Sequence, residues 1–340
     1  MSEASGRRRA VRISDVAAAA GVSKTLVSYA LNDRPGVKES TRARIVATAR
    51  SLGWTPSLRA RALSVSRAYA IGLVFQVSPG EYHTTLMAGL RSVLSTSKYS
   101  LVTEVVDGPE AEHVAYQRLA REGRVDGVVI ADPRPDDPRF EVIREAGLAF
   151  ASLGRPAQPT TMPVLVYDER QAVADVVAHL ASHGHRRIAQ VVGSRQGAVA
   201  RRRELYQKSL RDHGMDDSQW IESDGTGSGA RAATAQLLDA ARRPTAIVYS
   251  NDLMAIAGMG TAFARGLRVP ADVSVVGWDD AGVSQFLHPA LSTVAGHPFD
   301  DGRTAATLLL EAIDGREFDE PVRMPDPRFV PRDSSGPAPA

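Results

Sequence analysis

The chain of 340 residues contains no cysteine, which excludes a disulfide framework and any thiolate metal site. No apolar run approaches the roughly 18 residues that a membrane-spanning helix needs. The first stretch, MSEASGRRRAVRISD, is basic but carries no apolar core of the kind a secretory signal requires, so a cytoplasmic protein is expected. Catalytic signatures are missing too. There is no GxxxxGK[ST] and no GxSxG. The one glycine-rich run, Gly225-Thr226-Gly227-Ser228-Gly229, lacks the dinucleotide spacing and is read as a flexible turn. His179, His183 and His185 have a superficially metal-like spacing. Gly184 suits a helix C-terminus, where a histidine interacts favourably with the helix dipole, and no metal or other cofactor is expected. No nucleophile–base arrangement stands out, so nothing positively suggests an enzyme.

Net charge is also nearly absent, at +2, but that figure hides an uneven distribution. Residues 1–67 hold 13 Lys/Arg against four acids, a local charge of +9, and the rest of the chain carries −7. A small basic head on an acidic body suits a polyanion binder, because each phosphate neutralised releases counterions.

Within that head, RISDVAAAAGVSKTLVSYALN places Ile13, Val16, Ala17 and Ala20 on one helical face and Val27, Ala30 and Leu31 on another. Ser14 and Ser23 stand where two short helices would begin and can cap them. Gly21 lies between, where a sharp turn disfavours a side chain. Two short helices about a glycine turn make a helix-turn-helix, whose second helix can enter a DNA major groove. If the apolar residues face inward, Lys24, Thr25, Ser28 and Tyr29 face out. The same pattern would also serve an ordinary helical hairpin with a solvated face. A third helix is expected over 41–52, with Ile45, Ala49 and Leu52 packed on the pair. Residues 1–11 read as a disordered basic arm, 12–56 as the helical domain, 57–69 as a linker or hinge, 70–331 as the body and 332–340 as a disordered tail.

In the body, apolar runs at 70–77, 101–106, 127–131, 148–153, 164–167, 188–192, 246–250, 273–278 and 291–294 alternate with helical patterns. Such alternation predicts parallel sheets covered by helices on both faces, as one large sheet or two in tandem. Ligands in such folds bind beyond the carboxyl ends of the strands, here at 76–82, 131–132, 154–155, 193–202, 251–252 and 279–280.

The motifs ISDVAAAAGVSKTLVSYALN, TRARIVATARSLGWTPSLRARAL, RVDGVVI, ASHGHRRIA, YSNDLMAIAGMGTAFARGLRVPADVSVVGWDD and HPALSTV cover roughly residues 12 to 315. In their order and spacing the chain resembles the lactose-repressor (LacI/GalR) family of bacterial transcription regulators. The resemblance implies a small all-α helix-turn-helix head and an α/β, two-lobed, periplasmic-binding-protein-like body of type I. It further implies a repressor that binds pseudo-palindromic double-stranded operator DNA as a homodimer, with no membrane role. A small polar effector, a carbohydrate in the first instance, would sit between the lobes, and the chain would cross between them near 166–168, near 296–298 and once more before its end. The family's tetramer-forming leucine heptads have no counterpart here.

By position, the resemblance assigns Lys24, Thr25 and Tyr29 to base edges and Ser14, Ser23, Ser28 and Asn32 to phosphates. It assigns 57–63, with Ser57 at its start, to a hinge helix in which Leu63 is an apolar wedge in the minor groove. It assigns Gln76, Tyr82, Arg202, Asn251 and Asp279 to the effector. Arg203 is a near alternative to Arg202, for which Glu204 is an alternative partner. Asn251 and Asp279 could equally cap the next helix or turn, and Asp168 is expected to cap a helix. Departures from the family pattern include Tyr29, which cannot make an arginine's bidentate pair with guanine. Ser78-Pro79-Gly80-Glu81-Tyr82 replaces Asn-Pro-Phe-Phe, Gly225 follows Asp224 where an aromatic is common, and His297 stands where glutamine is frequent. A solute-binding protein for transport has a similar body, but the basic head and the missing signal speak against it.

Overall fold

The computed structural model describes residues 11–31, 34–54, 67–76, 81–134, 136–193, 197–216 and 219–339. Two units separate, one up to Arg67 and one from Ala68 onward. Asn32, Ser57 and Leu63, the expected hinge at 57–63 and most of the 78–82 departure lie outside the described residues.

The first unit is three helices, α1 (Ile13–Ala20), α2 (Lys24–Leu31) and α3 (Glu39–Ser51). Gly21 sits at φ 65°, and its N–H returns to carbonyls of α1; this left-handed turn is the one an L side chain would strain. Val16, Ala17, Ala20, Val27, Ala30, Ile45 and Ala49 form a single buried cluster. Leu52 does not join it: α3 has ended by Ser51, and Leu52 is 39% exposed. The cap at α1 also differs from the expectation. Arg12 occupies the cap position and the Asp15 carboxylate accepts its N–H at 2.8 Å, which places Ser14 inside the first turn. Ser23 does cap α2, its Oγ accepting from the Leu26 N–H at 3.2 Å.

The second unit is built on two parallel sheets. The first contains β1 (Ala70–Gln76), β2 (Ser100–Val106), β3 (Gly127–Ala131), β4 (Ala149–Leu153), β5 (Val164–Val166) and β11 (Val322–Arg323), in the order β11-β5-β4-β3-β1-β2. The second contains β6 (Ile188–Val192), β7 (Trp220–Glu222), β8 (Ala246–Tyr249) and β9 (Ser274–Val276), in the order β7-β6-β8-β9. A short antiparallel pair, β10 (Thr293–Ala295) with β12 (Arg328–Val330), adjoins the second. Helices cover both faces of each sheet, because strands this apolar on both sides must be shielded twice. On the first, α4 (Tyr82–Leu94) and the late helix α11 (Pro298–Ile313) bury Ile71, Leu73, Leu86, Leu90 and Leu309. Opposite them, α5 (Pro109–Arg121) and α6 (Pro138–Glu145) bury Val74, Tyr116, Leu119 and Ile143. On the second, α7 (Arg170–Ser182) and α8 (Gly197–Asp212) enclose Val176, Ile188 and Tyr206, while α9 (Gly227–Leu238) and α10 (Asp252–Ala264) enclose Ile247, Met254 and Val275.

The chain passes between the lobes three times: from β5 to α7, from β10 to α11, and from β11 to β12. Helices α4 and α11 touch backbone to backbone. A Cβ added at Gly89 would lie 2.0 Å from the Phe299 carbonyl oxygen, and one at Gly302 would lie 2.1 Å from that of Leu86.

Two readings of the body are corrected. The glycine-rich run does turn at Gly225, but Thr226 then caps α9, its Oγ accepting from the Gly229 N–H, so Gly227 to Gly229 are helical. The tail is ordered through Pro339. Val275 N–H donates to the Ser334 carbonyl, Ser334 Oγ donates to the Val275 carbonyl, and Ala338 N–H reaches the His183 carbonyl. Small residues let the tail lie flat against β9, an edge strand whose free backbone groups need a partner. His185, fully buried, completes this arrangement. Its Nε2 donates to the Gly336 carbonyl at 2.9 Å and its Nδ1 faces the Thr245 hydroxyl, so the histidine works as a structural clamp.

Candidate functional site

On the first unit, α2 presents one polar side. Lys24 and Thr25 are exposed, Ser28 is half-buried and Tyr29 is 38% exposed. Burial of Val27 and Ala30 on the opposite side forces this orientation. Arg42 of α3, which the sequence reading passed over, caps the far end of α2. Its guanidinium donates to the carbonyls of Ala30 at 3.0 Å and Arg34 at 2.9 Å, and to that of Tyr29 at 3.5 Å. The Tyr29 and Ala30 carbonyls lie in the last turn of α2, where Tyr29 also accepts the Arg34 N–H, and a cation there adds a donor and complements the dipole. The Arg34 guanidinium lies 5.8 Å from the centre of the Tyr29 ring.

In the second unit, a cleft of about 390 Å3 opens between the lobes. Gln76, Tyr82, Arg202, Asn251 and Asp279 all line it, so the structure brings together the five positions assigned to an effector. Their engagements differ. Arg202 pairs with Glu169 rather than Glu204: Nη2 lies 2.7 Å and Nε 3.2 Å from the same carboxylate oxygen. Its plane stacks on Trp278 at 3.6 Å, and Nη1 donates to the Ser250 carbonyl at 3.3 Å. Arg203 instead stacks on Trp220, at 4.6 Å. Asn251 caps α10 through Oδ1, which accepts from the Met254 N–H at 2.8 Å. Gln76 donates its amide to Glu112 at 3.2 Å. Asp168 accepts the Arg170 N–H at 2.9 Å, at the start of α7.

Glu112 anchors the wall behind Gln76, paired with both Arg134 and Arg139. Arg139 is 2% exposed and is held besides by Asp137 and by the carbonyls of Ala131 and Asp132. Breaking a buried set of this kind by removing one member leaves an uncompensated charge, which fixes the wall rigidly. Among the described residues, two backbone N–H groups of the second lobe are held by carboxylates of the first. The Glu81 carboxylate accepts the Gly282 N–H at 2.7 Å, and Asp132 accepts the Ala198 N–H at the start of α8.

At its inner end the cleft narrows to a space of about 50 Å3 that shares Tyr82, Tyr167, Arg202 and Asp279 with the outer part. Asp301, at 6% exposure, also lines it. Burial pushes the Asp279 carboxyl up to about 8, with Arg202 opposing and Asp252 and Glu169 reinforcing the rise. Burial, helped by Asp300, pushes Asp301 up to about 7. Burial also lowers His83, stacked on Phe75 at 4.7 Å, to about 4.

Sequence reasoning missed Glu169, Trp278, Asp301 and the Glu112 network. Asp132 was within its reach, because it follows β3 at a strand's carboxyl end. Glu169 and Asp301 come from the segments that cross between lobes, where no strand-end rule points. Among the described residues no group of His, Asp and Glu is arranged to hold a metal, and no helix is long and apolar enough to cross a membrane.

Residues 12–57 match the family model described as bacterial regulatory proteins, lacI family, and residues 177–335 match a periplasmic binding protein-like domain. The chain is 31% identical to the probable HTH-type transcriptional repressor ExuR of Bacillus subtilis, over 95% of this chain and 98% of that protein. It is 27% identical to catabolite control protein A of Priestia megaterium, over 92% of this chain and 95% of that protein. Among solved structures, the lac repressor dimer bound to operator and the anti-inducer ONPF superimposes with a TM-score of 0.83 at 27% identity, covering 96% of this chain and all of that one. The transcriptional regulator CelR–cellobiose complex gives 0.70 at 28% identity, over 95% of this chain and 99% of that one.

Proposed function

The chain belongs to the lacI family of bacterial regulatory proteins, and on that premise we propose that it is a cytoplasmic repressor whose grip on a pseudo-palindromic operator is set by a small polar ligand between its lobes. The observation that carries this reading is the pairing of two features in one chain. One is a +9 head whose helix α2 turns Lys24, Thr25 and Tyr29 outward. The other is a cleft of about 390 Å3 lined by Arg202, Asn251 and Asp279.

In this proposal Lys24, Thr25 and Tyr29 read base edges, while Ser14, Ser23, Ser28 and Asn32 hold phosphates. The segment 57–63 is the hinge, and Leu63 its minor-groove wedge. Unstacking a base step costs a few kcal/mol, recovered through closer contact with bent DNA. Arg202 and Asp279 bind polar groups of the ligand, with Gln76, Tyr82 and the amide of Asn251 at their flanks. A homodimer supplies the two heads that a symmetric operator needs; the lac repressor, bound to operator as a dimer, supports this. So does Phe286, which is 79% exposed beside Val283 at 45%.

Selection from a random DNA library by the full-length protein tests the reading. The expected product is a symmetric pair of half-sites. Lys24→Ala and Tyr29→Ala should change which bases are chosen at matched positions in both halves. Recovery of DNA without symmetry, or a uniform loss of affinity for all sequences in both variants, would refute it.

A further inference from the structure

The charges around the cleft are not evenly matched. Each guanidinium in its walls already has a carboxylate: Arg134 has Glu112, Arg139 has Glu112 and Asp137, and Arg202 has Glu169. Asp279 and Asp301 have no such partner. Neither side chain makes a hydrogen bond or ion pair with any described residue, although Arg202 lies close enough to Asp279 to be felt electrostatically. Both line the inner space of about 50 Å3, and only 6% of Asp301 remains exposed there. The rings of Tyr82, Tyr167 and Trp278 form part of its wall, the last already stacked by Arg202, and Glu169, His297 and Pro298 line the rest with Pro325 and Pro327.

Two unpartnered carboxyl groups in a partly aromatic recess are costly to ionise without a cation. A protonated amine satisfies them, because ammonium donates in three directions, pairs with carboxylate and is attracted to aromatic faces. A bare metal ion fits less well, since the described residues present no group of three carboxylate or imidazole ligands. We propose that the effector is a polyhydroxylated molecule carrying a protonated amine, and that the amine docks in the inner recess that Asp279 and Asp301 line. The hydroxyl-bearing part then occupies the outer cleft beside Arg202 and Asn251. This assignment rests on the cleft being the effector site. The raised proton affinity of both carboxyls agrees with it, since each awaits a cation to ionise. Binding of the amine should therefore release protons.

The test uses calorimetry on the full-length protein at pH 7 with three matched sets: 2-aminohexoses, their parent hexoses and the corresponding hexuronates. At least one aminohexose should bind tenfold or more tightly than its parent, with an enthalpy that varies with the ionisation heat of the buffer. Asp301→Asn and Asp279→Asn should each erase that preference and reduce the buffer dependence. Thermal melting of each ligand-free variant checks that it is folded. Absence of binding by every amine, equal or better binding by parent or uronate, or a preference that survives both substitutions would overturn the proposal. Failure of the cleft reading itself looks different. A hexose or uronate that binds wild type but not Arg202→Ala leaves the cleft as the effector site, whereas one that binds both proteins equally removes it.

Discussion

Arg202 shows how one residue can be tied to both structure and ligand. Its guanidinium is clamped by Glu169 beneath and Trp278 alongside, so the positive group facing the cleft is pre-oriented before anything binds. Glu169→Gln should therefore cost stability, by about 3 kcal/mol if the pair behaves as a typical buried one. It should also loosen ligand binding without any direct contact being lost. Chemical denaturation and calorimetry on the same variant would check both; unchanged stability would mean the pair is not a clamp.

Asp279 carries a pH prediction. Its folded carboxyl titrates near 8 and that of Asp301 near 7, because burial favours the neutral form; an unfolded aspartate titrates near 4. Between those limits the folded chain holds more protons than the unfolded one, so stability falls as pH rises. Below about pH 4 both states are protonated and the effect vanishes. Asp279→Asn should thus be more stable than wild type at pH 8, by an amount of order a few kcal/mol in denaturant unfolding, and match it near pH 4. A difference that does not change with pH would contradict the assignment. These residues were only partly legible beforehand. Asp279 follows a strand and is found by the strand-end rule, whereas Asp301 sits inside the first turn of α11 and became part of the cleft only because the chain returns between lobes there.

Single elements account for other differences between reading and structure. Periodicity located α1, α2 and α3, since short helices around one small core must expose and bury on a strict repeat. It did not reveal Arg42, because an arginine that caps a neighbouring helix is indistinguishable in sequence from one in solvent. Arg42→Ala removes two carbonyl contacts in the last turn of α2 and a third just beyond it. The expected loss is about 1–3 kcal/mol, seen in denaturant unfolding of the head, with weaker binding to every DNA sequence rather than a change of preference. The tail misled for a related reason. DSSGPAPA is small, polar and proline-rich, the composition of a disordered end, yet smallness is what allows it to lie along β9. Truncation after Asp333 should lower the melting temperature by several degrees, from the loss of several hydrogen bonds, and promote aggregation at the uncovered edge.

At the level of the molecule, the alternation of apolar runs and helices announced parallel sheets, but left open one sheet or two. Their division follows from the three crossings, which composition does not encode. Two carboxylates, Glu81 and Asp132, reach from the first lobe to backbone N–H groups of the second. They tie the two lobes together, and Glu81→Gln should weaken ligand binding by roughly the worth of one charge-assisted bond, about 1.5–3 kcal/mol. Under the proposed regulation, coupling is reciprocal, so operator DNA should alter ligand affinity by the same factor that ligand alters operator affinity. For the dimer, Phe286→Asp should yield monomers in sedimentation at micromolar concentration and lose affinity chiefly for symmetric DNA; a variant that stays dimeric would move the interface elsewhere.

The close approach of helices at Gly89 and Gly302 has a consequence for how the protein is made. Helix α4 presses Leu86 and Leu90 against α11, yet α11 leaves the ribosome only after the whole second sheet. Synthesis proceeds from the N-terminus and lobes fold as units, so the second lobe's sheet is free to assemble while the first still waits for its closing helix. Throughout that interval α4 shows solvent an apolar stripe with Gly89 at its centre. The first lobe is the earlier to be translated and the later to be completed.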